Sequence, residues 1–389
     1  APVQQEARLL HRLRHDGNVN GFWRRVQRAR RGPLPAGVAR TASEFGSHFE
    51  SVHEDDASLL DAEQAQVAAS VEARVQHCRA AACARTVTPD EVAGLLRRLP
   101  LGKVPGADGV TAEHLVHGCS PTLLSALARL FSACFTICDV PATFSDSVIV
   151  PLIKKSQLDP THMDNYRPIS LTTSTSKLLE MLVLDELESS FTAQDLQFGF
   201  IRQQGTSEAS ILASETIQWN RRRGLPVYAA NLDARKCFDL IWHDGLFARL
   251  APHLCSGSWL LLRTWYRRLS AHVAFGGVRS NSFRICRGTR QGAILSPILA
   301  NIYLYPLVAA LDERGLGADL YGHHVPAVCY ADDLILLATN AKHLATMLDL
   351  VGSFAKRSRL EFVHPEPCRT KSHCLVFGAE LLAAMPRWC

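Results

Sequence analysis

The sequence predicts an α+β protein in which helices pack on one central, largely antiparallel sheet. Two observations predict this class: short runs of apolar and β-branched residues alternate with helical segments, and several of these runs are joined by tight turns. The chain has 389 residues, of which 47% are hydrophobic and 20% charged, a balance that excludes wholesale disorder and allows a large buried core.

Helices are predicted from apolar periodicity and from residues that favour helix ends. Thr88-Pro89-Asp90-Glu91 is typical of a helix start, with proline in the first turn. A break at Pro306 is expected, because proline lacks the N–H that continues a helix. The predicted helical stretches are most of 41–99, then 112–116, 123–138, 242–266, 295–311 and 342–357.

Strands are predicted where β-branched and apolar residues cluster between turn residues. Gly276-Gly277 predicts a hairpin that joins residues 271–275 to residues 282–286. A second hairpin is expected across Ala331-Asp332-Asp333. The predicted strands are 147–153, 227–232, 271–275, 282–286, 325–330, 334–338 and 374–377.

The first part of the chain is rich in arginine, although the net charge of the whole chain is only +5. This segment suits a polyanionic partner, because neutralised phosphates release their counterions. A solvated linker face explains the same charges equally well, and charge alone leaves both readings open. The arginines are Arg8, Arg12, Arg14, Arg24, Arg25, Arg28, Arg30 and Arg31.

The twelve cysteines are scattered singly, a pattern that favours reduced thiols in a cytosolic or nuclear protein. The longest uncharged run, residues 291–311, is long enough to consider as a membrane span. Polar residues and prolines interrupt it at Ser296, Pro297, Asn301 and Pro306, so a globular helix is predicted and no membrane is expected as a partner.

Three carboxylates stand at the ends of apolar runs. Asp233 follows the run 227–232, and Asp332 and Asp333 separate the runs 325–330 and 334–338. Buried neighbouring carboxylates repel one another unless cations neutralise them, and hard oxygen ligands suit Mg²⁺ or Mn²⁺. Two such ions can activate a 3′-hydroxyl and stabilise a leaving pyrophosphate. The alternative is a turn whose two acids only face water, and the flanking apolar runs argue against it.

These acids belong to motifs that resemble those of reverse transcriptases. Tyr330-Ala331-Asp332-Asp333 is similar to their polymerase C motif, and Asp233 with Phe238 is similar to the A motif of non-LTR (LINE-like) retrotransposons. Residues 287–297, which read Arg-Gly-Thr-Arg-Gln-Gly-Ala-Ile-Leu-Ser-Pro, are similar to the B motif, and Asn301 follows as it does in that family. The motifs stand in the family's order.

The upstream half of the chain resembles the fingers of the same family. The similar segments are residues 103–113, 151–155, 165–171, 177–180 and 198–206, so the resemblance covers about residues 90–378. It implies right-hand polymerase fingers and palm, with an antiparallel palm sheet packed on helices. The expected domains are a basic N-terminal extension at 1–50, fingers at 51–215 and a palm at 216–389.

The resemblance also implies roles for single residues. Asp233, Asp332 and Asp333 are expected to be catalytic and to hold two Mg²⁺ or Mn²⁺ ions, with the Ala234 carbonyl as a further ligand. Phe238 is expected to act as a steric gate that excludes a ribose 2′-hydroxyl and so favours dNTPs. Core packing is the alternative for Phe238.

The resemblance also implies further nucleotide-binding residues, and each of them has an alternative interpretation. Lys154 and Arg167 are expected to clamp the triphosphate. The alternative for Lys154 is a generic basic patch, and the alternative for Arg167 is a surface ion pair. Gln291 and Gly292 are expected beside the nucleotide and template, where glycine permits close approach of the backbone, or else form a plain turn. Lys371 is expected near the pyrophosphate, although Arg369 or a surface role for Lys371 fits equally well, because Cys368 and Ser372 depart from the family pattern.

The resemblance implies an RNA-directed DNA polymerase whose partners are an RNA template, a DNA primer and dNTPs, acting by target-primed reverse transcription. The implied localisation is nuclear and cytoplasmic. Only about a dozen residues follow Phe377. We therefore expect a truncated product, gene fragment or decayed element that lacks the thumb and endonuclease of a longer parent. The alternatives are a non-catalytic RNA-binding remnant and a group II intron- or telomerase-like reverse transcriptase.

Overall fold

A computed structural model describes residues 40–81, 85–155, 158–193, 195–362 and 372–377. The arginine-rich start and Lys371 lie outside these described residues. Two compact units account for the described chain. The first unit comprises the described parts of 40–59, 70–187 and 251–296, and the second comprises those of 60–69, 188–250 and 297–377. The predicted division into extension, fingers and palm stays a prediction, because compactness does not test functional boundaries.

Helices occupy most of the stretches for which they were predicted. In the part of the chain that the structure describes they are α1 (Ala42–His53), α2 (Ala62–Ala80), α3 (Pro89–Arg98), α4 (Ala112–His117), α5 (Pro121–Ile137), α6 (Ala142–Ser145), α7 (Ser174–Ser190), α8 (Thr206–Arg222), α9 (Cys237–Leu240), α10 (His243–Leu250), α11 (Ser256–Arg267), α12 (Ser296–Glu313) and α13 (Ala341–Arg357).

The strands also follow the sequence pattern closely. They are β1 (Asp146–Ile153), β2 (Tyr166–Leu171), β3 (Val227–Asp233), β4 (Ser270–Phe275), β5 (Val278–Arg279), β6 (Phe283–Arg284), β7 (Ala318–Leu320), β8 (His323–Val325), β9 (Ala327–Tyr330), β10 (Asp333–Ala338) and β11 (His373–Phe377). The α+β class is therefore confirmed.

The start of α3 shows why the sequence signal for a helix end works. The Thr88 hydroxyl accepts a hydrogen bond from the Glu91 backbone N–H at 3.2 Å, and the Glu91 carboxylate accepts the Thr88 N–H at 2.8 Å. These bonds satisfy donors that a helix start otherwise leaves open, and the backbone bond from Thr88 lowers the pKa of Glu91. Pro89 stands in the first turn as predicted.

The expected break at Pro306 is wrong, because α12 runs through it without interruption. A proline in a helix interior costs about 3 kcal/mol through a lost hydrogen bond and a steric clash. Burial of Leu304, Leu307 and Val308 around this turn offsets that cost, since each is less than 5% exposed. None of the described helices, α12 included, is long and apolar enough to span a membrane.

The first unit contains a mixed sheet in the order β2-β1-β4-β5, with β6 also paired to β4. The pairing of β1 with β4 is parallel and the other pairings are antiparallel. The turn at Gly276-Gly277 is where the sequence predicts it, and the returning strand 282–286 is confirmed in part, since β6 lies within it and pairs with β4. The return is split into β5 and β6, because the Ser280 hydroxyl takes the place of a backbone group and accepts the Val273 N–H at 2.9 Å.

The second unit contains a four-stranded sheet in the order β11-β3-β10-β9, and every pairing in it is antiparallel. Helices α8 and α13 contact β3 and β10. This is the expected antiparallel palm sheet packed on helices. The expectation of one central sheet is wrong, since the described strands form separate sheets, including the small β7-β8 ribbon. Pairing between distant strands decides this, and local sequence does not encode it.

Candidate active site

Asp233 lies at the end of the most buried strand of the second unit. Five of the six residues before it in β3 are buried, and Asp233 itself is only 7% exposed. Its backbone N–H donates a hydrogen bond to the Ser372 hydroxyl at 3.2 Å. A carboxylate held at a buried strand end is costly to desolvate, which makes it a candidate for a site that binds cations.

The β9-β10 hairpin brings the other two acids to the same place. In the antiparallel ladder Asp333 stands directly opposite Asp233. Asp332 is in the turn, where its carbonyl accepts the Ala234 N–H at 3.1 Å. The turn is tight enough to force Ala331 into the left-handed region, with φ at 55°. The structure therefore brings Asp233, Asp332 and Asp333 together at one end of the inner strands β3 and β10.

The register adds a detail that the motifs do not contain. The motifs name the three acids together, whereas the ladder places Asp333 in the cross-strand position facing Asp233. Facing residues in an antiparallel pair have Cβ atoms about 5 Å apart, so the two carboxylates repel each other in the absence of a cation. Asp333 is exposed, and Asp332 is half-buried.

A segment ahead of α8 holds the hairpin turn in place. The Asn301 side chain in α12 donates a hydrogen bond to the Gly199 carbonyl at 2.9 Å. A Cβ on Gly199 would lie 2.3 Å from the backbone nitrogen of Ala331, so only glycine fits against the turn. The Phe198 N–H donates to the Cys329 carbonyl at 2.8 Å. Asn301 and Gly199 stand in separate motifs, and the sequence does not predict the contact between them.

Two thiols near the acids remain protonated. Burial, together with the charges of Asp332 and Asp333, raises the pKa of Cys329 to about 12. Burial also raises the pKa of Cys237, and the charge of Asp332 adds to the effect. The carboxylates of Asp233, Asp332 and Asp333 supply oxygen donors at these strand ends.

These donors fit a divalent cation by their chemistry. Carboxylate oxygens are the ligands that Mg²⁺ and Mn²⁺ prefer, and the nearby thiols are neutral. Among the described residues, no three His, Cys, Asp or Glu side chains form an assembled metal-binding group. The backbone thus places the acids together, while their side chains are not drawn around a common centre.

Phe238, the expected gate, lies on the short helix α9 five residues after Asp233 and is half-buried. The Phe200 ring meets it edge-on, with the ring centroids 5.8 Å apart and the planes at 88°. The chain between Asp233 and Phe238 is fixed by an isolated bridge between Ala234 and Phe362 and by a hydrogen bond from Arg235 N–H to the Glu361 carbonyl.

The expected triphosphate clamp lies in the first unit, at the end of the β1-β2 pair. Arg167 is exposed on β2, opposite Leu152. Lys154 directly follows β1, and its ammonium donates a hydrogen bond to the Asp164 carbonyl at 2.7 Å. Both cations are thus at the same end of one strand pair, which suits a shared polyanionic ligand.

Gln291 and Gly292 form a loop against β2 of the same unit. The Ser170 N–H donates to the Gln291 carbonyl at 2.7 Å. Gly292 has φ at 110°, and a Cβ there would lie 3.0 Å from the Ser170 carbonyl oxygen. Both the backbone conformation and the lack of space therefore require glycine. The role of Gln291 and Gly292 beside a nucleotide, with a plain turn as the alternative, stays a prediction.

A buried ion pair, which the sequence does not predict, fixes this loop. Arg290 and Glu180 are 3% and 1% exposed at their side chains and lie 2.8 Å apart. The second Glu180 oxygen accepts the Ile294 N–H at 2.6 Å, and Arg290 also donates to the Phe144 carbonyl. Both residues stand in quoted motifs, but no local signal joins positions that are 110 residues apart.

An antiparallel palm sheet that presents acids from two strand ends defines a polymerase of the right-hand class. The chain belongs to the reverse transcriptase (RNA-dependent DNA polymerase) family, whose pattern matches residues 153–372. This family generally uses divalent metal ions. The family predicted from the motifs is thereby confirmed.

Named relatives come from mobile elements. The RNA-directed DNA polymerase from mobile element jockey of Drosophila melanogaster is 28% identical over 275 residues, which cover 67% of this chain and 28% of that protein. The Pol polyprotein from the type-1 retrotransposable element R2 of Popillia japonica is 28% identical over 64% of this chain and 34% of its own length. The chain thus spans about a third or less of these two relatives.

The solved structures that are similar to part of the chain include that of a telomerase. It is apo telomerase from Candida Tropicalis truncated from its C-terminal domain, with a TM-score of 0.44 and 13% identity, covering 66% of this chain and 56% of that chain. A TM-score of this size supports no conclusion about this chain.

Proposed function

We propose that this chain adds dNTPs to the 3′-hydroxyl of a primer on an RNA template, as the polymerase part of a non-LTR retrotransposon protein that acts by target-primed reverse transcription. The observation that carries the proposal is the register of β3 and β10, which sets Asp233 opposite Asp333 beside the Asp332 turn. Family membership and the jockey and R2 relatives support the same reaction.

In this proposal Asp233, Asp332 and Asp333 hold two Mg²⁺ ions, with the Ala234 carbonyl as a further ligand. Bound there, the ions would lower the pKa of the primer hydroxyl and neutralise charge on the phosphates. The three carboxylates are hard oxygen ligands, which supports Mg²⁺ or Mn²⁺ over softer metals.

Residues of the first unit would bind the incoming nucleotide. Arg167 and Lys154 are proposed to contact its triphosphate, because two cations at one strand end bind a polyanion more strongly than either alone. Gln291 and Gly292 are proposed to lie against its base and the template, where the tight loop on β2 keeps the backbone in place. Lys371, outside the described residues, is proposed to act near the pyrophosphate.

Phe238 is proposed as the gate that excludes the ribose 2′-hydroxyl. Its half-buried ring supports this role, because a fully buried ring would be simple core packing. The proposed partners are accordingly an RNA template, a DNA primer and dNTPs. The proposed location is nuclear and cytoplasmic, because target-primed reverse transcription requires access to chromosomal DNA.

The test is primer extension by the purified chain on an RNA template with a DNA primer, in Mg²⁺ or Mn²⁺, with dNTPs and with rNTPs. We expect extension with dNTPs, and we expect Asp332→Asn to abolish it while the protein still binds the RNA–DNA hybrid. A folded wild-type chain that binds the hybrid without extending it would contradict the proposal and favour a non-catalytic RNA-binding remnant.

A further inference from the structure

Phe200 combines two properties that stability alone does not explain. It is 54% exposed, and its φ of 61° lies in the left-handed region. A residue with a Cβ is disfavoured in that conformation, and an exposed aromatic ring gains little from burial. Strain of this kind persists where the surroundings impose it, and it is concentrated at functional sites.

The contacts on either side of Phe200 explain how its conformation is imposed. The preceding residue, Gly199, is fixed by Asn301 and lies against the Ala331 backbone, so it cannot move away from the hairpin turn. After Phe200 the chain turns sharply, with the Gln204 N–H donating to the Ile201 carbonyl and with Gln203 also at positive φ. Phe200 is thus held between two fixed points.

This conformation directs the Phe200 ring onto Phe238. The rings meet edge-to-face at 5.8 Å, the arrangement in which two aromatic rings attract each other. Phe238 is on α9, a helix of only four residues, and the Phe200 ring packs against its side chain. A ring that excludes a 2′-hydroxyl must not swing aside, so a rigid support raises its selectivity.

We propose that Phe200 is a positioning residue for sugar selection, which supports the Phe238 ring and is itself fixed to the Asp332 turn through Gly199. The inference rests on the proposed function of Phe238 as a gate. It adds that the fidelity of sugar choice depends on a residue outside the A, B and C motifs. The same link ties the position of the gate to the position of the acids, because Gly199 contacts both the Ala331 backbone and its own neighbour Phe200.

The test is single-nucleotide addition by the full 389-residue chain, with a dNTP and with the matching rNTP. In Phe200→Ala the dNTP preference should fall about fivefold, the factor that corresponds to the roughly 1 kcal/mol of an aromatic pair. Phe200→Tyr keeps the ring and should retain the preference. A preference unchanged in Phe200→Ala would overturn the inference while leaving the polymerase function intact.

Tyr321 offers a matched control in the same unit. It is also aromatic, 60% exposed and at positive φ, but its ring packs on Trp219 at 4.3 Å instead of on the gate. Tyr321→Ala should leave sugar preference unchanged. If both alanine variants lost preference equally, general loosening of the unit would be the cause and the inference would be wrong.

A double-mutant cycle separates support of the gate from direct contact with nucleic acid. If Phe200 acts through Phe238, Phe200→Ala should change sugar preference no further in a Phe238→Ala background. If Phe200→Ala instead weakens primer–template binding equally in both backgrounds, the ring contacts the nucleic acid and the inference is overturned.

A readout without catalysis distinguishes failure of this inference from failure of the proposed function. In a chain labelled with 4-fluorophenylalanine, the Phe238 signal can be assigned by its loss in Phe238→Leu. This fluorine signal should shift or broaden in Phe200→Ala and stay unchanged in Tyr321→Ala. An unchanged signal in Phe200→Ala would mean that Phe200 does not position Phe238, whether or not the chain extends primers.

Discussion

Asp233 stands directly opposite Asp333 in the ladder between β3 and β10. Like charges in this position oppose folding, and yet the rest of both strands is packed with buried apolar residues that fix the register. The strands therefore impose a repulsion that a cation relieves. Selection for stability alone would replace one of the two facing acids. Their presence is therefore the basis of the proposed metal site.

Because Asp233 and Asp333 face each other, removal of one charge should raise the stability of the chain and lower its activity. Asp333→Asn removes one of the two charges and should raise the free energy of unfolding by about 0.5 kcal/mol in the absence of divalent ions. The same variant should extend primers more slowly than the wild type. Urea unfolding in EDTA measures the first effect, and a lower stability than wild type would contradict the account.

The close contact between Gly199 and the Ala331 backbone predicts that a larger residue at position 199 disturbs the β9-β10 turn. Gly199→Ala should cost about 1–3 kcal/mol of stability and most of the activity, because the added Cβ would lie 2.3 Å from the Ala331 nitrogen. Gly352→Ala is the control, since Gly352 lies in α13 with nothing within 4 Å of the added Cβ. That change should leave activity intact and raise stability by up to about 1 kcal/mol. Thermal unfolding and primer extension of both variants test the contrast.

The buried ion pair beneath the Gln291-Gly292 loop predicts a large cost when one partner is removed. Glu180→Gln should lower the free energy of unfolding by about 3–5 kcal/mol, because Arg290 is then left charged in the interior. Asp185→Asn breaks the exposed pair with Arg98, whose side chains are 40% and 47% exposed, and should cost less than about 1 kcal/mol. Equal losses in urea unfolding would show that the Glu180 pair is not isolated from water.

The thiols beside the acids predict selective labelling. With the pKa of Cys329 raised to about 12, only about one molecule in ten thousand carries its thiolate at pH 8. Iodoacetamide should therefore modify the exposed Cys119 and leave Cys329 and Cys237 unmodified in the folded chain. Labelling of Cys329 should rise only as the pH approaches 12 or the chain unfolds. Peptide mass spectrometry measures this, and rapid labelling at pH 8 would refute the buried position.

The sequence predicted those features that depend on local pattern. The apolar runs on both sides of Asp332 and Asp333 predicted the β9-β10 hairpin, and Thr88 with Glu91 predicted the start of α3. In each case the residues that decide the structure are neighbours along the chain. Periodicity and capping chemistry are therefore sufficient to identify them.

Features that depend on distant contacts could not be predicted in this way. The Glu180–Arg290 pair, the support of the Ala331 turn by Gly199 and the separation of the strands into different sheets all join residues far apart in sequence. Pro306 shows the converse, because a strong local signal for a break is overridden by burial of its neighbours. Tertiary packing decided these positions.

The most direct test of the central claim is the rate of single dNTP addition to a DNA primer on an RNA template, measured across a Mg²⁺ titration. We expect addition that saturates with Mg²⁺ in the wild type, is lost in Asp233→Asn and persists in Asp349→Asn, a control at an exposed position of α13. Addition by Asp233→Asn at the wild-type rate, with the same Mg²⁺ dependence, would contradict the claim that the facing acids form the active site.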